Sequence, residues 1–162
     1  MTAHATITRV VPATVEDTFD LVHDYPHRLA WDTLLREAFT VDDRPPAKDV
    51  EAVCRARWHL GGLSFRTRYV TFRRPDLAAV VLVSSPPVFA TWAASIRHRA
   101  LEPADGRPRS EVVYTLTFTT RPAALRRVVE PVALAAFRWE TRRRLHALAD
   151  HLGGRGTGSA AQ

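Results

Sequence analysis

Apolar and polar positions alternate from the start of the chain. Ile7 and Val11 stand against Thr6 and Thr8, and Pro12 stops the run, which predicts a strand over 5–11. The period then changes. Thr14 precedes Val15, Phe19 and Val22 at helical spacing, with Asp17 three residues after Thr14 in a loose capping box, so a helix is predicted over 14–23. Tyr25-Pro26 ends it, because a residue before proline resists the α region, and a second short helix follows over 26–31.

From about residue 34 the pattern is that of strands, predicted over 35–41, 50–60, 64–73, 77–84, 88–101 and 110–120. Gly61-Gly62 makes a hairpin of the third and fourth strands, counting 5–11 as the first. The segment 102–109, Glu-Pro-Ala-Asp-Gly-Arg-Pro-Arg, has the composition of a loop. A long helix is predicted over 122–152, about 46 Å at 1.5 Å per residue. Pro122 fits its first turn. Leu125, Val129, Val132, Ala136, Phe137, Thr141, Leu145, Leu148 and Leu152 keep one face mostly apolar. Pro131 predicts a kink or break, Gly153-Gly154 a stop, and 153–162 a disordered tail. The six consecutive strands, joined by tight turns, mean an antiparallel sheet. Its apolar face needs a cover, and the last helix is the only element large enough. One domain over 1–152 follows, of the α+β class.

This order, Asp24, Tyr25-Pro26 and Trp31-Asp32 after the first helix, and the proline-led final helix resemble the helix-grip fold. The family is the START-like, Bet-v-1-like or SRPBCC superfamily, especially its polyketide cyclase/dehydrase and lipid-transport branch. The resemblance spans about 3–152. It implies a curved sheet of about seven strands around the C-terminal helix, with a hydrophobic cavity between them. Members bind lipids, sterols, quinones, hormones or polyketides, and some cyclise and dehydrate poly-ketone chains.

Composition narrows the setting. The chain has 162 residues, 46% hydrophobic and 25% charged, as in a globular domain. Cys54 is the single cysteine and permits no internal disulfide. The start, MTAHATITRVV, lacks a cationic and apolar leader, and no apolar run reaches a membrane span. The expectation is a cytoplasmic protein. The net charge of +6 rests almost entirely on arginine, Lys48 being the only lysine. Arg55, Arg57, Arg66 and Arg68 share hairpin-paired strands and make a basic face that Glu51 or Asp49 would lace; it offers weak contact with anionic surfaces. No nucleic-acid motif accompanies it.

Period-two alternation assigns the sheet's faces. Val50, Ala52, Cys54, Ala56 and Trp58 point inward, as do Phe65, Thr67 and Tyr69, then Trp92, Ala94, Ile96 and His98, then Tyr114, Leu116 and Phe118. A one-residue slip or a bulge reverses any of these. The set suits either a filled core or the apolar walls and sparse polar tips of a small-molecule pocket. With the resemblance, the expected cavity residues are Trp31, Trp58, Phe65, Tyr69, Trp92, His98, Tyr114, Phe118 and Phe137.

Candidate chemistry is sparse. His98 and Tyr114 are the candidates for proton transfer or carbonyl polarisation, and Tyr69 for orienting a ligand. Glu140 reads as a surface ion pair with Arg143 or Arg144 ahead of a cavity residue. Cys54 reads as a small hydrophobe. His23 and His27 are four apart, but Pro26 lies between them, and His146 and His151 are five apart, so no metal site is expected. The chain has no G-x-S-x-G, H-E-x-x-H, P-loop or G-x-G-x-x-G motif, and no cofactor is expected. The leading reading is binding of a small hydrophobic ligand, aromatic, polyketide-like or lipid. The alternatives are a polyketide cyclase or aromatase of secondary metabolism, and a partner-binding module using the basic face.

Overall fold

The computed structural model describes residues 2–84 and 86–158, without the side chains of 156–158. Strand β1 (Ala3–Val11) is followed by helix α1 (Val15–His23). Thr14 caps α1, its hydroxyl accepting from the Asp17 amide at 3.1 Å. A 3-10 helix over Tyr25–Ala30 follows, with Pro26 in its first turn, where a missing N–H costs little. Then come β2 (Leu35–Thr40), β3 (Glu51–Ala56), β4 (Ser64–Arg73), β5 (Leu77–Leu82), β6 (Phe89–Ala104), β7 (Arg107–Thr120) and α2 (Arg126–Gly158).

All seven strands form one antiparallel sheet in the order β1-β7-β6-β5-β4-β3-β2. The sheet is curved and wraps α2, the helix-grip arrangement. A register shift between Tyr69 and Thr71 changes the phase of β4. Tyr69 faces the interior and Val70 is exposed, yet Phe72 returns inward against Phe19 and Tyr69.

Three local expectations are corrected. The loop expected over 102–109 narrows to Asp105-Gly106. Both residues take positive φ, as a two-residue hairpin turn between right-twisted strands requires, and Ala104 pairs with Arg107. The third strand of the sequence ends at Ala56, not at 60, because residues 58–60 form a 3-10 turn that leads into Gly61 and Gly62, both at positive φ. The final helix neither breaks at Pro131 nor stops at Gly153-Gly154. Neither glycine takes the left-handed conformation that would end it, so residues 153–158 continue the helix in place of the expected tail. The remaining tail residues, 159–162, lie outside the described residues.

The helix has two regimes. From Arg126 to Trp139 no residue of α2 is fully buried, and Leu125 and Val132, expected on the apolar face, are exposed. From Glu140 onward the helix packs down, burying Thr141, Leu145, Leu148 and Leu152 against a core that includes Val11, Phe19, Val112 and Leu116. Each fully buried Leu or Phe is worth about 1.5–3 kcal/mol of transfer free energy. The second half of α2 therefore fastens the helix, and the first half roofs what lies beneath it. No helix among the described residues is long and apolar enough to cross a membrane.

Candidate functional site

Beneath that roof is a cavity of about 330 Å³. Small side chains create the space: Ala56, Ala78 and Ala94 on the strands, and Ala133 and Ala136 on α2. Aromatic rings wall it. Phe65 lies 5.4 Å from Trp92 and 5.6 Å from Phe89 between centroids, and Phe137 reaches down to within 5.7 Å of Phe89. Such walls gain from contact with an apolar molecule and cannot serve the hydrogen bonds of water.

The charged groups at the cavity come from the joint after α1 and from α2. Asp32 is fully buried and holds two cations. Arg28 Nε donates to Oδ2 at 2.9 Å, while Arg144 Nε donates to Oδ1 at 2.9 Å and its Nη2 to Oδ2 at 2.8 Å. Asp32 also accepts from the Leu34 amide at 3.1 Å, and Arg28 donates to the Val22 carbonyl. Burial by itself would push the Asp32 carboxyl up, but Arg144 and Arg28 hold it below the usual carboxylate range. Tyr25 and Tyr69 share a buried hydroxyl–hydroxyl hydrogen bond of 2.8 Å. One hydroxyl donates to the other, which leaves one O–H free to donate elsewhere. Burial pushes the Tyr69 phenol up to about 12 and Tyr25 well up, so both stay protonated donors.

His23 also lines the cavity. Its Nδ1 lies 2.8 Å from the Phe19 carbonyl, which can only accept, so Nδ1 carries the hydrogen and Nε2 the lone pair. Burial lowers its pKa to about 3 and keeps it neutral. Burial likewise pushes the Cys54 thiol up, which fits an unreactive small side chain.

Glu140 is the exception to satisfied burial. It is 3% exposed and lines the cavity, yet neither carboxylate oxygen has a hydrogen-bond partner. Arg143 Nη1 stands 3.8 Å from Oε1, beyond hydrogen-bonding reach, with its guanidinium over the exposed Trp139 ring at 5.5 Å. The expected ion pair with Arg143 is present at this distance, but its carboxylate end is buried and not on the surface, because α2 turns its 137–140–141–144 stripe toward the cavity. Leaving such a group without hydrogen-bond partners costs on the order of several kcal/mol.

Of the expected cavity residues, Trp31, Phe65, Tyr69, Trp92, Tyr114 and Phe137 line the space. Phe118 sits behind it, fully buried at 5.3 Å from Phe137 and 5.5 Å from Phe89. Phe118 is thus corrected from cavity wall to core, and two further expectations are corrected. Trp58 is 75% exposed, since β3 has already ended, and the Arg36 guanidinium stacks on its outer face at 4.1 Å. His98 points inward but misses the cavity, because β6 runs on past it beneath α1. His98 packs edge-on against Phe19 at 5.4 Å, and burial lowers its pKa to about 4.

Tyr25, expected to pack near one end of the cavity, lines it. His23, Arg28 and Arg144 are not among the expected cavity residues; the four-residue spacings Phe19–His23 and Arg28–Asp32 are the sequence signals for the first two. His23 and His27 part ways, His27 being exposed and paired with Asp24 at 2.8 Å. No cluster of three or more His, Cys, Asp or Glu able to hold a metal occurs among the described residues. On the basic face, Glu51 binds Arg66 and Arg68 at 2.5 and 2.6 Å, and Glu37 pairs with Arg55.

Comparison with known proteins agrees with this architecture. A START superfamily protein from Mycobacterium smegmatis superposes with a TM-score of 0.70 at 14% identity, covering 92% of this chain and 98% of that one. The Zhui aromatase/cyclase from Streptomyces sp. R1128 gives 0.75 at 14% identity, covering 96% of each chain. The protein XoxI from Bacillus cereus gives 0.68 at 17% identity, covering 93% and 95%. These likenesses concern the fold. No curated protein matches the chain in sequence. The sequence profile described as polyketide cyclase / dehydrase and lipid transport matches residues 2–153. With that match over nearly the whole chain, the protein belongs to the polyketide cyclase / dehydrase and lipid transport family of the helix-grip superfamily.

Proposed function

We propose that the protein binds a small hydrophobic ligand, aromatic, polyketide-like or lipid, in the cavity between the sheet and α2. The observation that carries this reading is an aromatic-walled space of about 330 Å³ beneath a half-helix that buries nothing fully. Burial of the ligand's apolar surface supplies the affinity, at about 25 cal/mol per Å² removed from water. The Tyr25–Tyr69 pair supplies direction through its spare O–H. The unpaired Cys54 favours a reducing, cytoplasmic setting. Native mass spectrometry of protein purified from its own host is the test: a retained small molecule supports binding. Loss of the reading would follow if no ligand is retained and no thermal shift appears across hydrophobic and polyketide panels.

A second reading, cyclisation of a poly-ketone chain, is favoured by the placing of a neutral histidine and a phenol pair in the same cavity. Aldol closure moves a proton from the attacking carbon to the new hydroxyl. His23 Nε2, a weak base at a pKa of about 3, offers an acceptor for that proton, and the spare O–H of Tyr25 or Tyr69 an acid. His98 lies outside the cavity, which shifts the acid–base candidacy to His23, while Tyr114 keeps its place on the wall. This reading predicts that Tyr69→Phe changes the distribution of cyclised products from a poly-ketone substrate; an unchanged distribution removes Tyr69 from that role. The third reading, a partner-binding basic face, is weakened because Glu51 and Glu37 neutralise much of that face.

A further inference from the structure

The cavity contains an acceptor that the protein itself leaves empty-handed. Glu140 is more than nine-tenths buried, and both of its oxygens lack a hydrogen-bond donor. Its neighbours along the cavity-facing stripe do not supply one: Phe137, one turn before it, is apolar, the Thr141 hydroxyl makes no hydrogen bond to it, and Arg144, one turn after it, donates to Asp32 from Nε and Nη2. Arg143 stacks on Trp139 and stays 3.8 Å away. In the same lining Trp31 Nε1 and Trp92 Nε1 are buried donors without a partner. A protein that keeps an unpartnered acceptor and two unpartnered donors in one apolar enclosure fits an occupant that brings the missing groups.

The charges of the enclosure select the occupant further. Arg28 and Arg144 carry two positive charges and Asp32 one negative charge. Glu140, four residues before Arg144 on the helix, brings the sum of these four groups to zero; Arg143, paired with Glu140 at 3.8 Å, stands outside the lining, half-exposed to solvent over Trp139. His23 adds no charge, being neutral. A carboxylate ligand would meet Glu140 as a like charge, and an ammonium would leave an excess cation in an apolar space.

We infer that the cavity selects a neutral, hydroxyl-bearing apolar molecule, a phenol or alcohol, whose O–H donates to the Glu140 carboxylate. The apolar body lies along Phe65, Trp92 and Phe137. This inference rests on the proposed ligand-binding reading and names the chemical class of its ligand.

The test is a calorimetric titration with three probes of one shape: 2-naphthol, its methyl ether 2-methoxynaphthalene, and 2-naphthoate. The wild-type protein is expected to bind 2-naphthol at least tenfold more tightly than the ether and to bind the naphthoate most weakly. In Glu140→Leu the preference for the phenol is expected to vanish. Glu140→Gln, which keeps a carbonyl acceptor, is expected to retain part of it. Both variants are checked for native circular dichroism, and the wild-type series stands without them. Equal wild-type affinities for phenol and ether would overturn the role of Glu140 while leaving the binding cavity in place, as would a preference that survives in Glu140→Leu. Binding of none of the three probes would remove the cavity reading and this inference together.

Discussion

Asp32 and Arg144, 112 residues apart in the chain, meet inside the protein through two hydrogen bonds of 2.9 and 2.8 Å. This contact ties the joint after α1 to the packed half of α2, and Arg28 closes the group from the other side. It fixes one end of the cavity at the point where the helix passes from roof to core. Asp32→Ala leaves two guanidinium groups buried without their shared anion. It is expected to cost about 3–5 kcal/mol in urea unfolding. Replacing Asp32, Arg28 and Arg144 together by Leu and Met is expected to recover most of that loss, since the penalty lies in the unpaired charges. A triple variant no more stable than Asp32→Ala would show that the contact's geometry, not its charge balance, is what matters.

Acid should weaken the fold through two histidines. His23 and His98 have folded pKa values lowered by burial to about 3 and about 4, whereas the unfolded chain binds their protons near 6.5. Stability is therefore full above about pH 6.5 and falls as pH drops, because only the unfolded state takes up the protons. The slope expected between about pH 6 and about pH 4.5 is roughly 1.4 kcal/mol per pH unit for each histidine. Asp32, with its lowered pKa, adds to the loss only in stronger acid. Urea midpoints measured across this window should show the decline, and His98→Phe should flatten it by about half. A stability that stays level down to pH 4.5 would contradict the burial of both rings.

Two tryptophans expected to point inward, on different strands, should behave differently. Trp58 is exposed and touches Arg36 from outside, so Trp58→Ala should change stability by less than about 1 kcal/mol and leave probe affinity alone. Trp92 is part of the cavity wall against Phe65, so Trp92→Ala should cost about 2 kcal/mol or more and weaken the binding of an aromatic probe. Thermal melts and titrations of the two variants side by side decide the matter.

Much of this was legible in the sequence because a strand's period of two is local. Ala52, Cys54 and Ala56, Phe65, Thr67 and Tyr69, and Trp92, Ala94 and Ile96 show their phase without any knowledge of their neighbours. What alternation does not carry is where a strand ends or what lies over it. Trp58 continues the phase of β3, but the turn leading into two left-handed glycines had already begun. His98 keeps the phase of β6, but that strand is 16 residues long and passes from the cavity to α1. Glu140 was obscured by arginines at helical spacing, which on an exposed helix would be its partners. The Asp32–Arg144 contact joins segments with no local relation, so only the assembled fold brings it into view.

We propose that the space beneath α2 takes an apolar aromatic molecule. The most direct measurement is calorimetric titration of 2-naphthol into the wild-type protein and into Ala94→Leu, whose larger side chain grows into the cavity from β6. Saturable one-to-one binding to the wild type and at least a tenfold loss in the variant are expected, with the melting transition of both still cooperative. Absence of saturable binding to the wild type, or equal affinity in a folded Ala94→Leu protein, would contradict the proposal.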